Sequence, residues 1–389
     1  MSKRALSVVL VALVFAGCTL SPGNDAAGGM LVIVDGDGNV ATVAPDGSRI
    51  TTLTEDATIG EPYFQPVWSP DGSAIAYSRL TGTPTLYVAA ADGSTTAMLP
   101  TESTSFYFSW SIDNDLLFLR NTTSGLSLDL TSFDGTQLDD PRSIDAGAPL
   151  YFSWEPGGSR LATHISLDRL ELNDLEESSD LGVVPGSFQA PQWTESGIAA
   201  VEMFSGSQRL VLVSADGAVE PVAALPGPAV FAASADGSRI AVQSVLTDDA
   251  LSAVYQALPA VSPNRLVVVT PGDGDVVTVS DGLAGAFFWS PDGSRLLVLD
   301  VVSDTEASWS VWDGTTLAEV AAFRPPPSYV ANFLPFFDQY AQSVSLWSPD
   351  GSAFAFPGTV DGESGVWVQK LDGTRTRVSD GTWVAWSRS

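Results

Sequence analysis

Cysteine occurs once in the 389 residues, at Cys18. A single thiol cannot close a disulfide within the chain, so no cross-link of that kind supports the fold. Histidine also occurs once, at His164, which excludes zinc centres built on two or three imidazoles. Lysine occurs only at Lys3 and Lys370, and 17 basic residues face 46 acidic ones, a formal net charge of −29. A surface this acidic does not neutralise a phosphate backbone, so nucleic acid is excluded as a partner. Charge does not draw it to anionic lipid either. Beyond the first twenty residues no apolar run is long enough for a membrane helix. G-x-S-x-G is missing, and with it the nucleophile elbow of serine hydrolases.

What remains is an apolar fraction of 44% against only 16% charged residues, which argues for a packed domain rather than a disordered chain. The 35 glycines, 25 prolines and 11 tryptophans point to many short strands joined by turns. At the N-terminus, Lys3 and Arg4 precede a 12-residue apolar run, residues 5–16, which suits a signal peptide and is too short to span a bilayer. The run ends on Ala16, Gly17 and Cys18. This segment resembles a bacterial lipobox, with Phe15 standing where leucine is usual. The resemblance implies that residues 1–17 are removed and that Cys18 is lipidated on sulfur as the new first residue. The other reading is an ordinary secretory signal with an incidental cysteine. Residues 18–29 are small and polar and suit a tether, which leaves residues 30–389 as one domain. Losing Lys3 and Arg4 leaves 15 basic against 46 acidic residues, a mature net charge of −31. Thr19 after the cysteine is compatible with the outer membrane of a two-membrane bacterium; in a one-membrane bacterium the domain would face the exterior.

One phrase recurs along the domain. W-S-P-D-G stands at 68–72, 289–293 and 347–351. Weaker copies begin at Trp110, Trp154, Trp193, Ala233 and Trp386. Five of the seven spacings between these anchors lie between 39 and 44 residues, and the other two are 56 and 58. Within each unit an apolar run leads to the anchor, and proline and glycine shape the turn that follows. A second strand comes next, then a third, an Asp-Gly turn such as Asp92-Gly93 or Asp372-Gly373, and a fourth. Four strands in some forty residues make one blade of an all-β propeller.

In this repeat the chain resembles the TolB-like, WD-repeat-like β-propeller family, over about residues 30–389. The resemblance is specific for fold and not for function, because propellers carry many activities. Three strands at residues 31–34, 40–44 and 49–54 precede the first anchor, and one strand at 382–386 follows the last Asp-Gly turn. Three plus one completes a blade. The expectation is therefore eight blades, closed by the C-terminal strand, with seven as the alternative. Trp68, Trp110, Trp154, Trp193, Trp289, Trp347 and Trp386 are read as structural blade anchors rather than a stacking platform for sugars or bases.

Several motifs dissolve on inspection. Residues 36–41 match G-x-G-x-x-A, but alternation and a Pro-Asp-Gly turn follow where a dinucleotide fold needs a helix. Asp35, Asp37 and Asn39 resemble the start of a calcium loop, yet Val40 occupies the position that requires glycine. The simpler reading is a hairpin turn. His164 falls in a second strand and reads as a satisfied strand residue. No catalytic constellation, cofactor motif or metal site is recognisable.

The two long spacings carry inserts, at about residues 246–262 and 324–340. In a four-stranded blade the second-to-third and fourth-to-first connections share a face, so both inserts open on the face opposite the Ser-Pro-Asp-Gly turns. Residues 247–258 read as a short helix. The second insert holds Tyr329, Phe333, Phe336, Phe337 and Tyr340, the candidates for binding a partner or ligand. The other reading of the same rings is a plug folded into the central channel. The function expected is a membrane-anchored, extracytoplasmic, monomeric scaffold that binds an envelope protein or a small ligand. The alternatives are a carbohydrate- or peptide-active enzyme using channel carboxylates, and a solute receptor for a transporter.

Overall fold

Each repeat folds into one antiparallel sheet, and eight sheets stand in a ring as an eight-bladed β-propeller. The computed structural model describes residues 28–79, 84–246, 258–303 and 305–388. Blade 1 is the closure: Trp383–Trp386 pairs with Leu31–Val34, which continues to Val40–Val43 and Thr51–Thr52. The register runs from Leu31 opposite Trp386 to Val34 opposite Trp383, so the two ends of the domain share one sheet and leave no open seam. Blades 2 to 7 begin with the inner strands Tyr63–Trp68, Ser105–Trp110, Leu150–Trp154, Gln192–Thr194, Ala229–Ala233 and Ala286–Trp289. Blade 8 has three full strands, Ala353–Val360, Glu363–Lys370 and Arg375–Ser379. Its innermost position is reduced to a bridge between Trp347 and Phe354.

Blades pack face to face, so a middle strand is covered on both sides. This is why Leu296–Val301 begins as an unbroken run of four buried apolar residues instead of alternating. The outermost strands, such as Thr96–Pro100, are mostly exposed. The anchor tryptophans join neighbouring blades. The indole Nε1 of Trp110 donates to the Val67 carbonyl at 3.4 Å, that of Trp154 to Ser109 at 3.3 Å, and that of Trp289 to Ala232 at 2.8 Å. Trp347 reaches Phe288 at 3.1 Å, and Trp68 reaches Ala385 across the closure at 3.2 Å. Every acceptor is the residue just before the preceding blade's anchor. These five anchors thus tie neighbouring blades together as well as forming core. Trp347 and Trp386 are fully buried, whereas Trp154, Trp193 and Trp289 are only half-buried.

The Ser-Pro-Asp-Gly turns close on themselves. Ser69 Oγ donates to Asp71 at 2.6 Å and accepts the Ala74 amide at 2.9 Å, and the same pair recurs as Ser290 with Asp292 and Ser348 with Asp350. Gly72 sits at φ 71°, in the left-handed region where a side chain would be strained. Residues 247–257 of the helix expected at 247–258 lie outside the described residues, as do Cys18 and the rest of residues 1–27. Among the described residues no helix is long and apolar enough to cross a membrane.

Candidate functional site

The second insert descends into the central channel. Arg324 is bridged to Thr359, and helix α1, Pro327–Asn332, begins on prolines that suit a first helical turn. A short 3-10 turn and helix α2, Phe337–Tyr340, follow. Phe333 is completely buried at the centre of an aromatic stack, with Tyr329 at 4.7 Å, Tyr340 at 5.2 Å, Trp383 at 5.3 Å and Phe288 at 5.9 Å between ring centroids. Phe337 packs on Phe287 at 4.9 Å. Four of the five candidate rings are therefore buried in the channel, while Phe336 remains 44% exposed.

Polar contacts fasten the insert to the inner strands. Gln339 Oε1 accepts the Phe152 amide at 3.0 Å, and its Nε2 donates to the Phe152 carbonyl at 2.9 Å. Tyr107 donates its hydroxyl to the Gln339 carbonyl at 2.9 Å and accepts from Gln339 Nε2. Gln65 Nε2 donates to the Tyr340 hydroxyl, and Gln65 Oε1 accepts the Tyr107 amide at 3.0 Å. Gln65 and Tyr107 hold positive φ values of 54° and 49°, each at a bulge in its inner strand. A bulge re-aims a side chain, here from the sheet into the channel. Asp338 is buried, accepts the Ala190 amide at 3.0 Å, and forms no ion pair among the described residues. Burial without a counter-cation pushes its carboxyl up to about 6.

A positional pattern underlies this arrangement. The residue three before each anchor is Trp383, Gln65, Tyr107 and Tyr151 in blades 1 to 4, and Ala190, Val230, Ala286 and Val344 in blades 5 to 8. The large residues stand on one half of the ring and the small ones on the other. The insert occupies the half with the small residues: α2 packs on the inner strands of blades 6 and 7, and Asp338 meets Ala190 of blade 5. On the other half a cavity of about 1040 Å³ is left open, lined by all four large residues. Its wall includes Tyr329, Phe336, Gln339 and Tyr340 of the insert, and its rim includes Asp35, Asp37 and Glu55. Cavities that enclose small molecules run to about 1,000 Å³. Among the described residues, neither lysine, arginine, histidine nor cysteine lines it.

Asp35, Asp37 and Asn39 form the turn joining two strands of blade 1; Asp35 Oδ1 accepts the amides of Asp37 at 2.9 Å and Asn39 at 2.8 Å. His164 is buried in blade 4, with Nδ1 2.9 Å from the Gln189 carbonyl and its ring on Phe188, and it does not line the cavity. Burial lowers its affinity for a proton. A second cavity, of about 540 Å³, lies among the anchors, the Ser-Pro-Asp-Gly turns and Arg388. Sequence reasoning found the insert but missed Gln65, Tyr107, Gln339 and Asp338. The available signal was the change of residue type three places before the anchor.

No family model matches the chain, and no curated protein matches its sequence. Solved structures do match its fold. The dihydro-heme d1 dehydrogenase NirN is 13% identical with a TM-score of 0.59, over 93% of this chain and 76% of that one. A structure described as the eukaryotic initiation factor is 10% identical with a TM-score of 0.54, over 92% and 98%. TolB from Acinetobacter baumannii is 13% identical with a TM-score of 0.41, over 92% and 81%. At these identities the likeness is one of fold.

Proposed function

We propose that this protein is an exported, lipid-anchored propeller that binds a ligand in the off-axis cavity and does not transform it. The observation that carries this reading is the half-filled channel. The insert leaves open one side of the ring, and that side alone carries large polar and aromatic residues at the channel-facing position. Two of them, Gln65 and Tyr107, sit in left-handed backbone, a conformation costing about 1–3 kcal/mol each that persists where it serves a site. Hydrolysis by a carboxylate pair would need two carboxylates flanking the bond to be cut, whereas the acids of the lining stand at its rim. Among the described residues the lining holds no histidine, cysteine, lysine or arginine.

Anchoring at Cys18 is supported by the lipobox resemblance and by the charge. A domain at −31 has no electrostatic attraction to anionic lipid, so acyl chains would have to hold it. Fractionation of expressing bacteria tests this: the full chain is expected with the membranes and Cys18→Ser in the soluble fraction. Equal membrane retention of both would refute the anchor. For the binding reading, the domain is incubated with envelope extract, washed, and its bound compounds are identified by mass spectrometry. Asn332→Trp, which places a large ring at the exposed edge of the cavity, is expected to abolish retention without changing the unfolding temperature. Retention unaffected by this variant would remove the cavity from the function.

A further inference from the structure

We infer that the cavity takes an organic ammonium ion whose apolar or aromatic body carries a neutral oxygen acceptor. This inference rests on the binding reading above and names its ligand class. Three features of the lining converge on it.

The first is the sign of the charge. Asp35, Asp37 and Glu55 stand at the mouth, and among the described residues no basic one lines the wall. Arg79, whose guanidinium lies 5.1 Å from the centre of the Tyr63 ring, is paired with Asp56 at 3.0 Å and Glu61 at 3.7 Å. An anion would enter against a field that nothing in the wall offsets, whereas a cation is drawn in.

The second is the aromatic wall. Phe64, Phe106, Tyr151, Phe336 and Trp383 line the cavity and retain varying exposure, from buried Trp383 to open Phe336. Ring faces attract cations through their quadrupole and pack well against a flat or aliphatic body.

The third is a phenol. Tyr340 lines the cavity and accepts from Gln65, and among the described residues no acceptor takes its own hydroxyl proton. Buried donors are normally satisfied, so this phenol calls for an acceptor supplied from inside the cavity. A ligand oxygen near Tyr340, with the ammonium toward Asp37 and Glu55, satisfies both ends.

A matched series of one body with three charges tests this: tyramine, its neutral alcohol 2-(4-hydroxyphenyl)ethanol, and its anion 4-hydroxyphenylacetate, titrated calorimetrically into the mature domain at low salt. Tyramine is expected to bind at least about tenfold tighter than the alcohol, with the anion weaker still. The preference should shrink as salt screens the rim. Asp37→Asn combined with Glu55→Gln, both exposed and expected to fold normally, should bring tyramine down to the affinity of the alcohol. Tyr340→Phe should weaken tyramine and the alcohol alike. Equal affinity across the series, or preference for the alcohol or the anion, overturns the inference while leaving a ligand cavity in place. The absence of tyramine binding at millimolar concentration also overturns it. Tyramine binding unchanged by the rim variants and by Asn332→Trp places the ligand elsewhere, and the binding reading falls with it.

Discussion

Asp338→Asn is expected to stabilise the protein near neutral pH. The carboxyl is 5% exposed, lies within the plug, and is held by one amide, that of Ala190. The titratable groups that couple to it, Tyr107 and Tyr151, are kept neutral by burial, which raises their own proton affinity. The folded-state value of about 6 lies above the ordinary value of 3.8. Between these two values the native state retains a proton that the unfolded chain has released, so stability falls as pH rises through the window and is level above it. About two units at 1.36 kcal/mol each make the cost of the buried charge roughly 3 kcal/mol. Asparagine keeps an oxygen for the Ala190 amide and removes the charge. In urea unfolding followed by tryptophan fluorescence, the variant should exceed the native protein by about 2–3 kcal/mol at pH ~7.5 and match it near pH ~3.5. The difference between the two proteins is the quantity to read, because the many other carboxylates titrate equally in both. A variant less stable at neutral pH, or a difference that does not change with pH, would refute the assignment of an unpaired buried charge.

Three further perturbations separate the parts of the fold. Phe333→Ala, at the centre of the aromatic stack, should cost about 3–5 kcal/mol in urea unfolding. Phe336→Ala should stay within about 0.5 kcal/mol of the native protein while weakening tyramine binding. Removing residues 381–389 deletes the strand that closes blade 1, and the truncated protein should lose its cooperative thermal transition. An unchanged melting temperature would mean that the ring does not depend on that closure.

Most of the fold was legible because each blade solves the same problem with the same residues. In five blades the anchor's indole reaches the neighbouring blade's carbonyl, and the commonest turn after it uses serine, aspartate and glycine, so the period survives where other positions drift. The closure was legible by counting strands at the two ends. The site was less so. The five aromatics of residues 329–340 mark an insert, but composition cannot say whether a ring folds inward. That is decided by what stands opposite, and Ala190, Val230, Ala286 and Val344 lie in four different repeats. Gln65 and Tyr107 stayed hidden for a related reason: a bulge turns them into the channel, and strict alternation along the strand does not predict a bulge.

The acidic composition divides along the same line. On the face of the Ser-Pro-Asp-Gly turns the carboxylates are structural. Asp292 accepts from the Ser290 hydroxyl at 2.6 Å and the Ser294 amide at 2.9 Å, and these bonds hold its carboxyl down at about 2. Asp71 and Asp350 are bonded in the same way. Such acids are already satisfied, and their number reflects how often the turn is repeated rather than what the protein meets. At the cavity mouth the situation differs, since the carboxylates of Asp37 and Glu55 have no bonded partner among the described residues. A net charge alone therefore says little about a partner; for the cavity, what bears on binding is its own unbonded acids, Asp37 and Glu55, which line it where the insert leaves the channel open.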